Sequence, residues 1–262
     1  MKIQYFGYNS FLIKSGKSKI AVDPGQNMWV FKFNSLIPKA EWNDITHIAI
    51  THGDPDHYWQ ADRITLASNA TLILNKTMIK QSEKSLKLLR PRSHYLKFDA
   101  FNGTVFPLGI GETIDFNDFT VRGIPTLHGT INMSIWAMKL QISPGPGKRF
   151  GFGSIGFEIR IENKIIVNLG DSLFLNEWKN LNPDILMIPI GGLGNNTLVM
   201  DANEALTAIK IIAPKIVIPC HYNIPFFFNK RMLSVDEEFF KLKVERLGIK
   251  CNIMQSGDEF EI

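Results

Sequence analysis

The sequence predicts a layered α/β (α+β) fold, and three observations carry that reading. β-branched and aromatic runs of strand length recur along the chain, several of them apolar throughout, as strands buried on both faces are. Amphipathic stretches of helical length separate some of these runs. Polar side chains collect where the runs stop, and the carboxyl ends of strands are where ligands gather in open α/β sheets.

At 262 residues the chain is read as one domain over residues 1–262, large enough to bury a substantial core. Hydrophobic residues at 45% and charged residues at 21% are ordinary for a globular protein. A net charge of +4 is mildly basic, but the lysines are scattered, as at Lys76, Lys80, Lys84 and Lys87, like those of a solvated helix face. Without a dense basic and aromatic module, nucleic acid is not the expected partner. The two cysteines, Cys220 and Cys251, build no disulfide framework and suit a reducing compartment. The N-terminal stretch lacks the apolar core of a signal peptide, and no run approaches the ~20 apolar residues of a membrane span. The expectation is a cytoplasmic protein, free of membranes, acting on a small molecule, with a homo-oligomer left open.

Taken in order, Met1–Gly7 and Phe11–Lys14 read as hairpin strands, and Lys19–Val22 as a third that ends in the turn Asp23-Pro24-Gly25. Asp23 can support a site from behind its ligands, but turn former is the preferred role. Met28–Ala40 reads as an irregular aromatic-rich loop and Ile45–Ile50 as a buried strand. Tyr58–Leu66 is expected as a short helix, Thr71–Leu74 as a strand, and Lys76–Leu89 as an amphipathic helix followed by Pro91. Glu112–Asp115 and Asp118–Ile124 form a hairpin around Phe116-Asn117, leading into Pro125-Thr126-Leu127-His128. Asn132–Ile142 is read as one strand, with a Pro/Gly loop from Ser143 to Gly147 after it. The glycines of 151–156 have dinucleotide-loop spacing but precede a strand, Phe157–Ile161, so that reading is set aside. Lys164–Leu169, Ile185–Ile190, Lys215–Pro219 and Cys251–Met254 complete the strands, and Asp201–Ile212 and Glu237–Arg246 the helices.

The stretch around which the chain is organised is His52-Gly53-Asp54-Pro55-Asp56-His57, directly after the Ile45–Ile50 strand. Gly53 permits a sharp turn, and Pro55 extends Asp54 and suits a first helical position. Imidazole and carboxylate are ligands that Zn, Fe and Mn accept. A plainer reading makes Asp54 a helix N-cap with Asp56 in the first turn. His128 and His221 also lie just beyond strand-like runs, as does Asp171, whereas His47 and His94 read as structural or surface residues. The set His52, Asp54, Asp56, His57, His128, Asp171 and His221 is too large for one tetrahedral ion and suits two ions sharing a carboxylate.

The order of these motifs resembles the metallo-β-lactamase superfamily, whose loop pattern is His-x-His-x-Asp-His. Asp54 stands where that pattern has its second histidine. The segments Ile188–Gly192 and Ile218–Asn223 resemble the branch related to ascorbate-6-phosphate lactonase. The resemblance implies a four-layer αββα sandwich and a metal-dependent hydrolase that uses metal-activated water on an ester, lactone or phosphoester. It implies two divalent ions, zinc first, with Mn or Fe as alternatives. One ion takes His52, Asp54 and His128, the other Asp56, His57 and His221, with Asp171 bridging and Asp56 and Asp171 as the catalytic carboxylates.

The extra carboxylate at Asp54 lowers the positive charge of such a centre and shifts it from Zn towards Mn or Fe. The flavodiiron branch places a glutamate at this position, which keeps a di-iron redox protein as one alternative and a degenerate metal-binding module as another. No flavodoxin-like partner domain follows within the chain. Tyr58, Trp59, Trp136, Tyr222 and Phe226–Phe228 are candidates for an apolar substrate pocket, with core packing as the alternative. Lys148 and Arg149 are candidates to meet an anionic group.

Overall fold

The computed structural model describes residues 1–25, 39–79, 104–135, 138–142, 151–192, 198–225 and 231–262. Among them, strands β1 (Lys2–Tyr5), β2 (Phe11–Ser15), β3 (Ser18–Val22), β4 (His47–Ile50), β5 (Thr71–Asn75) and β6 (Val105–Leu108) join β18 (Glu259–Glu261) in one sheet, ordered β18-β1-β2-β3-β4-β5-β6. The strands from β18 to β3 pair antiparallel, and those from β3 to β6 pair parallel.

The other large sheet is built from β7 (Thr113–Asp115), β8 (Phe119–Ile124), β11 (Gly156–Ile161), β12 (Lys164–Asn168), β13 (Ile185–Pro189), β14 (Ile216–Cys220) and β17 (Lys250–Cys251). Its order is β17-β14-β13-β12-β11-β8-β7. Two small ribbons pair β9 (Ile131–Ile135) with β10 (Met138–Ile142) and β15 (Ile224–Pro225) with β16 (Arg231–Met232).

Alternate residues of the central strands enter different cores, which is why those strands read as unbroken apolar runs. Ile20, Ala49 and Ile73 point inwards to meet Ile166, Met187 and Ile218 of the facing sheet. Ala21, Ile48, Ile50, Leu72 and Leu74 point outwards, onto Ala61 and Ile64 of helix α2 (Ala61–Ser68), which follows the single turn α1 (Pro55–Tyr58). On the opposite outer face, Leu186, Ile188 and Val217 pack on Ala205, Ala208 and Ile209 of α3 (Ala202–Ile212) and Phe240 and Val244 of α4 (Glu237–Glu245). Helix, sheet, sheet and helix are therefore stacked as the expected αββα sandwich. Helix α3 starts on an Asp201/Glu204 capping box, which satisfies two amide donors that would otherwise lack partners.

Several elements differ from the sequence reading. The helix expected over Tyr58–Leu66 is broken into α1 and α2, with Gln60 at the start of the second. Asn132–Ile142 is not one strand: β9 and β10 pair with each other, Asn132 opposite Gln141. A reversal that preserves the period-2 alternation leaves no mark in that alternation. Lys250–Cys251 is shorter than the expected Cys251–Met254 strand. Strand β6 has no counterpart in the sequence reading; it holds Pro107, which its edge position tolerates since an edge strand need not donate on its outer side. The loop at Met28–Ala40 (but for its last two residues), the helix Lys76–Leu89 beyond residue 79, and the Ser143–Gly147 loop lie outside the described residues.

Candidate metal centre

The carboxyl ends of parallel strands from both sheets converge on one buried point. Strand β3 delivers Asp23, β4 delivers Thr51 to His57, β12 leads to Asp171 and β14 to His221, while His128 follows β8. Two glycines permit the close approach this needs. At Gly25 a Cβ would fall 1.5 Å from the carbonyl oxygen of Asp56. Gly170 has a left-handed φ of +57° and lies so close to Thr51 that a Cβ would stand 2.7 Å from the threonine Cβ.

All seven side chains expected from the sequence meet here, in overlapping groups: His52, Asp54 and His128; Asp56, His57 and His221; and His52, His57 and Asp171. Asp54 Oδ2 is 3.4 Å from both His52 Nε2 and His128 Nε2. Asp56 Oδ2 is 3.5 Å from His57 Nε2 and 3.7 Å from His221 Nε2. Asp171 stands between the triads, with Oδ1 3.5 Å from His57 Nε2 and Oδ2 3.1 Å from His221 Nε2 and 4.0 Å from His128 Nε2. Two donors each ~2.0–2.1 Å from one ion at a tetrahedral angle stand roughly 3.3–3.4 Å apart, which these separations bracket.

The hydrogen-bond inventory agrees with that spacing. Nε2 of His52, His57, His128 and His221 and Oδ1 of Asp171 are buried without a hydrogen-bond partner. Each buried orphan costs about 1–3 kcal/mol, so five converging on one point suit cations that would engage them together. The donor set, imidazole and carboxylate, fits divalent Zn, Mn or Fe.

The carboxylate of Asp54 is not turned back to cap α1. Its Oδ1 accepts the Gly151 N–H at 2.8 Å, and it is the Asp54 carbonyl that receives the N–H of His57. The glycine-rich segment set aside as a nucleotide loop thus has a structural task. It runs beside the ligand loop, with Gly53 N–H bonded to Phe152 O and Ile155 N–H to Thr51 O.

Behind the candidate ligands lies a buried polar network. Asp23, taken as a turn former, is fully buried. Its Oδ2 contacts His57 Nδ1 at 2.7 Å and accepts from Thr51 Oγ1 at 2.5 Å and Asn9 Nδ2 at 2.6 Å, while Oδ1 accepts the Thr51 N–H at 2.7 Å. Thr51 Oγ1 is also 3.0 Å from His52 Nδ1. Asn9 and Asn168 exchange amide hydrogen bonds, and Asn168 Oδ1 accepts the N–H of Gly170, next to Asp171. The position of Asp23 at the end of the strand preceding the ligand strand was the available signal. Asn9 and Tyr8 carried none. The Tyr8 carbonyl accepts the His221 N–H at 2.8 Å, and its ring lies edge-on to the His221 ring at 5.5 Å.

The electrostatics follow from burial of opposite charges. Burial alone would raise the Asp54 and Asp171 carboxyls, but the neighbouring imidazoles outweigh it and hold both down, His52 and His128 for Asp54, His221 and His57 for Asp171. Burial alone would lower the histidines, but the carboxylates prevail. His57 and His128 are held up, and His221 is raised to about 9 by Asp171 and Asp56.

His47 stays apart from the centre. It is half-buried in β4 with its ring against Phe116 and Phe119, and burial lowers it to about 4. Tyr58 belongs to the core beneath α2, and Tyr222 to the core beneath α3. His94, Trp136, Lys148, Arg149 and Phe226–Phe228 lie outside the described residues. No described helix is long and apolar enough to cross a membrane.

The sequence profile of the beta-lactamase superfamily domain matches residues 2–221. A UPF0173 metal-dependent hydrolase of Alkaliphilus metalliredigens is 32% identical over 249 residues, covering 94% of this chain and 93% of its own. Another, of Nanoarchaeum equitans, is 26% identical over 266 residues and covers 100% of both. Among solved structures, a metallo hydrolase of Ignicoccus hospitalis superposes with a TM-score of 0.71 at 23% identity, over 100% of this chain and 98% of that one, a likeness of fold.

Proposed function

Because the chain belongs to the metallo-β-lactamase superfamily, among its metal-dependent hydrolases, we propose that it cleaves an ester, lactone or phosphoester of a small molecule in the cytoplasm, with one domain over residues 1–262 carrying the activity. The observation that supports this most is the convergence of buried, partnerless imidazole nitrogens with three carboxylates at ligand-to-ligand spacing. His52, Asp54 and His128 would hold one ion and Asp56, His57 and His221 the other, with Asp171 between them. Zinc is the first candidate, and Mn or Fe the alternatives that the oxygen ligand Asp54 favours.

Bound there, two divalent ions would bring the pKa of a water down towards ~7 and polarise the oxygen of the bond under attack. The chain's own residues supply the rest. Asp56, whose side chain is 18% exposed against 3% for Asp171, lies nearest solvent and is the residue to orient the attacking water and hold its proton. Asp171 fixes the spacing of the two triads. His128 is oriented through Nδ1 by the Gly129 carbonyl at 2.9 Å, and His57 through Nδ1 by Asp23. This scheme asks for no serine or cysteine nucleophile. The lactone option draws on the sequence segments at Ile188–Gly192 and Ile218–Asn223.

The test is metal analysis before and after chelation, with hydrolysis of p-nitrophenyl acetate, a γ-lactone and bis-p-nitrophenyl phosphate measured in parallel. Activity that vanishes on chelation and returns with the metal supports the reading; protein that never retains metal above background overturns it. The di-iron reading, which Asp54 keeps in view, forecasts instead iron, visible absorbance and oxygen consumption.

A further inference from the structure

A cavity of about 130 Å³ is lined by Tyr5, Tyr8, Tyr222, Glu237, Met254 and Gln255 among others, and none of the candidate metal ligands lines it. Its chemistry is one-sided. Three tyrosines and a carboxylate contribute to the wall, and among the described residues it has no lysine, arginine or histidine. Tyr5, Tyr8 and Tyr222 are only 4%, 7% and 6% exposed, so their rings are fixed parts of the structure. The Tyr5 hydroxyl is committed to the Tyr8 carbonyl at 3.1 Å, and the Tyr222 hydroxyl is buried beside the Glu237 carboxylate. Glu237 is steadied by Asn223, whose Nδ2 donates to Oε2 at 3.1 Å.

The one charged side chain among the described lining residues is a carboxylate, Glu237. Glu237 opens α4, and the ~+0.5 charge of a helix N-terminus is outnumbered by the carboxylates of Asp236, Glu237 and Glu238 around that first turn. Burial and the charge of Glu237 both hold the Tyr222 phenol above its ordinary value, so the neutral hydroxyl persists beside the carboxylate. Aromatic faces add attraction for a positive charge, more so when it is desolvated.

We propose that this cavity binds a small organic ammonium ion, its charge held between the Tyr5, Tyr8 and Tyr222 rings and the Glu237 carboxylate. The site is distinct from the metal centre but shares a wall with it, because Tyr8 lines the cavity and also supports His221. The inference does not depend on the hydrolase reading, since binding here needs no metal ligand.

The experiment is a titration of the full chain with tetramethylammonium chloride, followed by amide chemical shifts, with sodium chloride and neutral neopentyl alcohol as matched controls. The expected result is saturable shifts centred on residues 5–8, 222–224 and 254–256 with the cation alone. Glu237→Gln, which keeps an acceptor for Asn223, is expected to weaken binding about tenfold, and Tyr222→Leu comparably. A lack of saturable shifts at these amides, an equal response to neopentyl alcohol, or unchanged affinity in Glu237→Gln would each overturn the proposal. If either variant fails to fold, the comparison of cation with neutral alcohol on the unaltered chain decides it.

Discussion

Asp23 Oδ2 and His57 Nδ1 lie 2.7 Å apart with both side chains fully buried, and this contact turns the other nitrogen of His57 towards Asp56 and Asp171. A carboxylate on the far nitrogen fixes the ring and makes it a better electron donor. Asp23→Asn keeps the shape and removes the charge. It is expected to lower metal affinity roughly 10–100-fold, as outer partners of ligands commonly do. Chelator competition measures this directly, and an unchanged affinity would return Asp23 to the role of turn former.

Asp171 stands between the two triads, with Oδ2 3.1 Å from His221 Nε2 and 4.0 Å from His128 Nε2. Asp171→Ala is expected to abolish turnover and lower the metal content of both, whereas His94→Ala should leave both near normal. Steady-state rates and metal analysis on the same preparations test this, and equal loss in the two variants would contradict the assignment.

Asp54 separates ligand from helix cap. Asp54→Ala is expected to reduce occupancy beside His52 and His128 while the Asp56, His57 and His221 site still fills, and Asp54→His to raise zinc occupancy there. A cap-only role would cost about 1 kcal/mol of stability and leave stoichiometry unchanged. Metal titration of both variants distinguishes the outcomes.

The pH dependence of the chelated protein has a definite sign. His221 is raised in the fold to about 9 from an ordinary 6.5. Its contribution is therefore complete below 6.5 and is lost as pH rises through about 9. Asp171 is depressed from 3.8, so its contribution is present above that value and disappears as pH falls towards its folded pKa. Melting temperatures of chelated protein should thus fall from neutral to alkaline pH. Metal-loaded protein should not follow, because ions bind the deprotonated imidazoles and gain affinity over the same window. Proton release on metal addition near neutrality, read by calorimetry in two buffers, is the companion measurement.

The seven side chains that converge were legible in the sequence because imidazoles and carboxylates stand in short, ordered motifs. His52, Asp54, Asp56 and His57 come from one loop, and His128, Asp171 and His221 each follow an apolar run. The layered α/β class was legible through strands such as Ile185–Pro189, whose two faces both enter cores, whereas the αββα order came from the family resemblance of the motifs. What escaped was set by contacts distant in sequence. Asn9 reaches Asn168 across 159 positions, and Gly151 reaches Asp54 across 97. Asn9 belongs to no pattern of its own, and the glycine spacing around Gly151 does not point to Asp54. The β9–β10 reversal escaped for a local reason, since alternation is blind to direction.

The pairing of β1 with β18 sets a timetable for synthesis. Lys2 bonds Glu259 across 257 positions. At roughly 5–20 residues per second, the outer edge of β1 waits tens of seconds on the ribosome for its partner. An unpaired edge is a template for other chains. Until β18 has been made, that edge of β1 lacks the partner that the finished fold gives it.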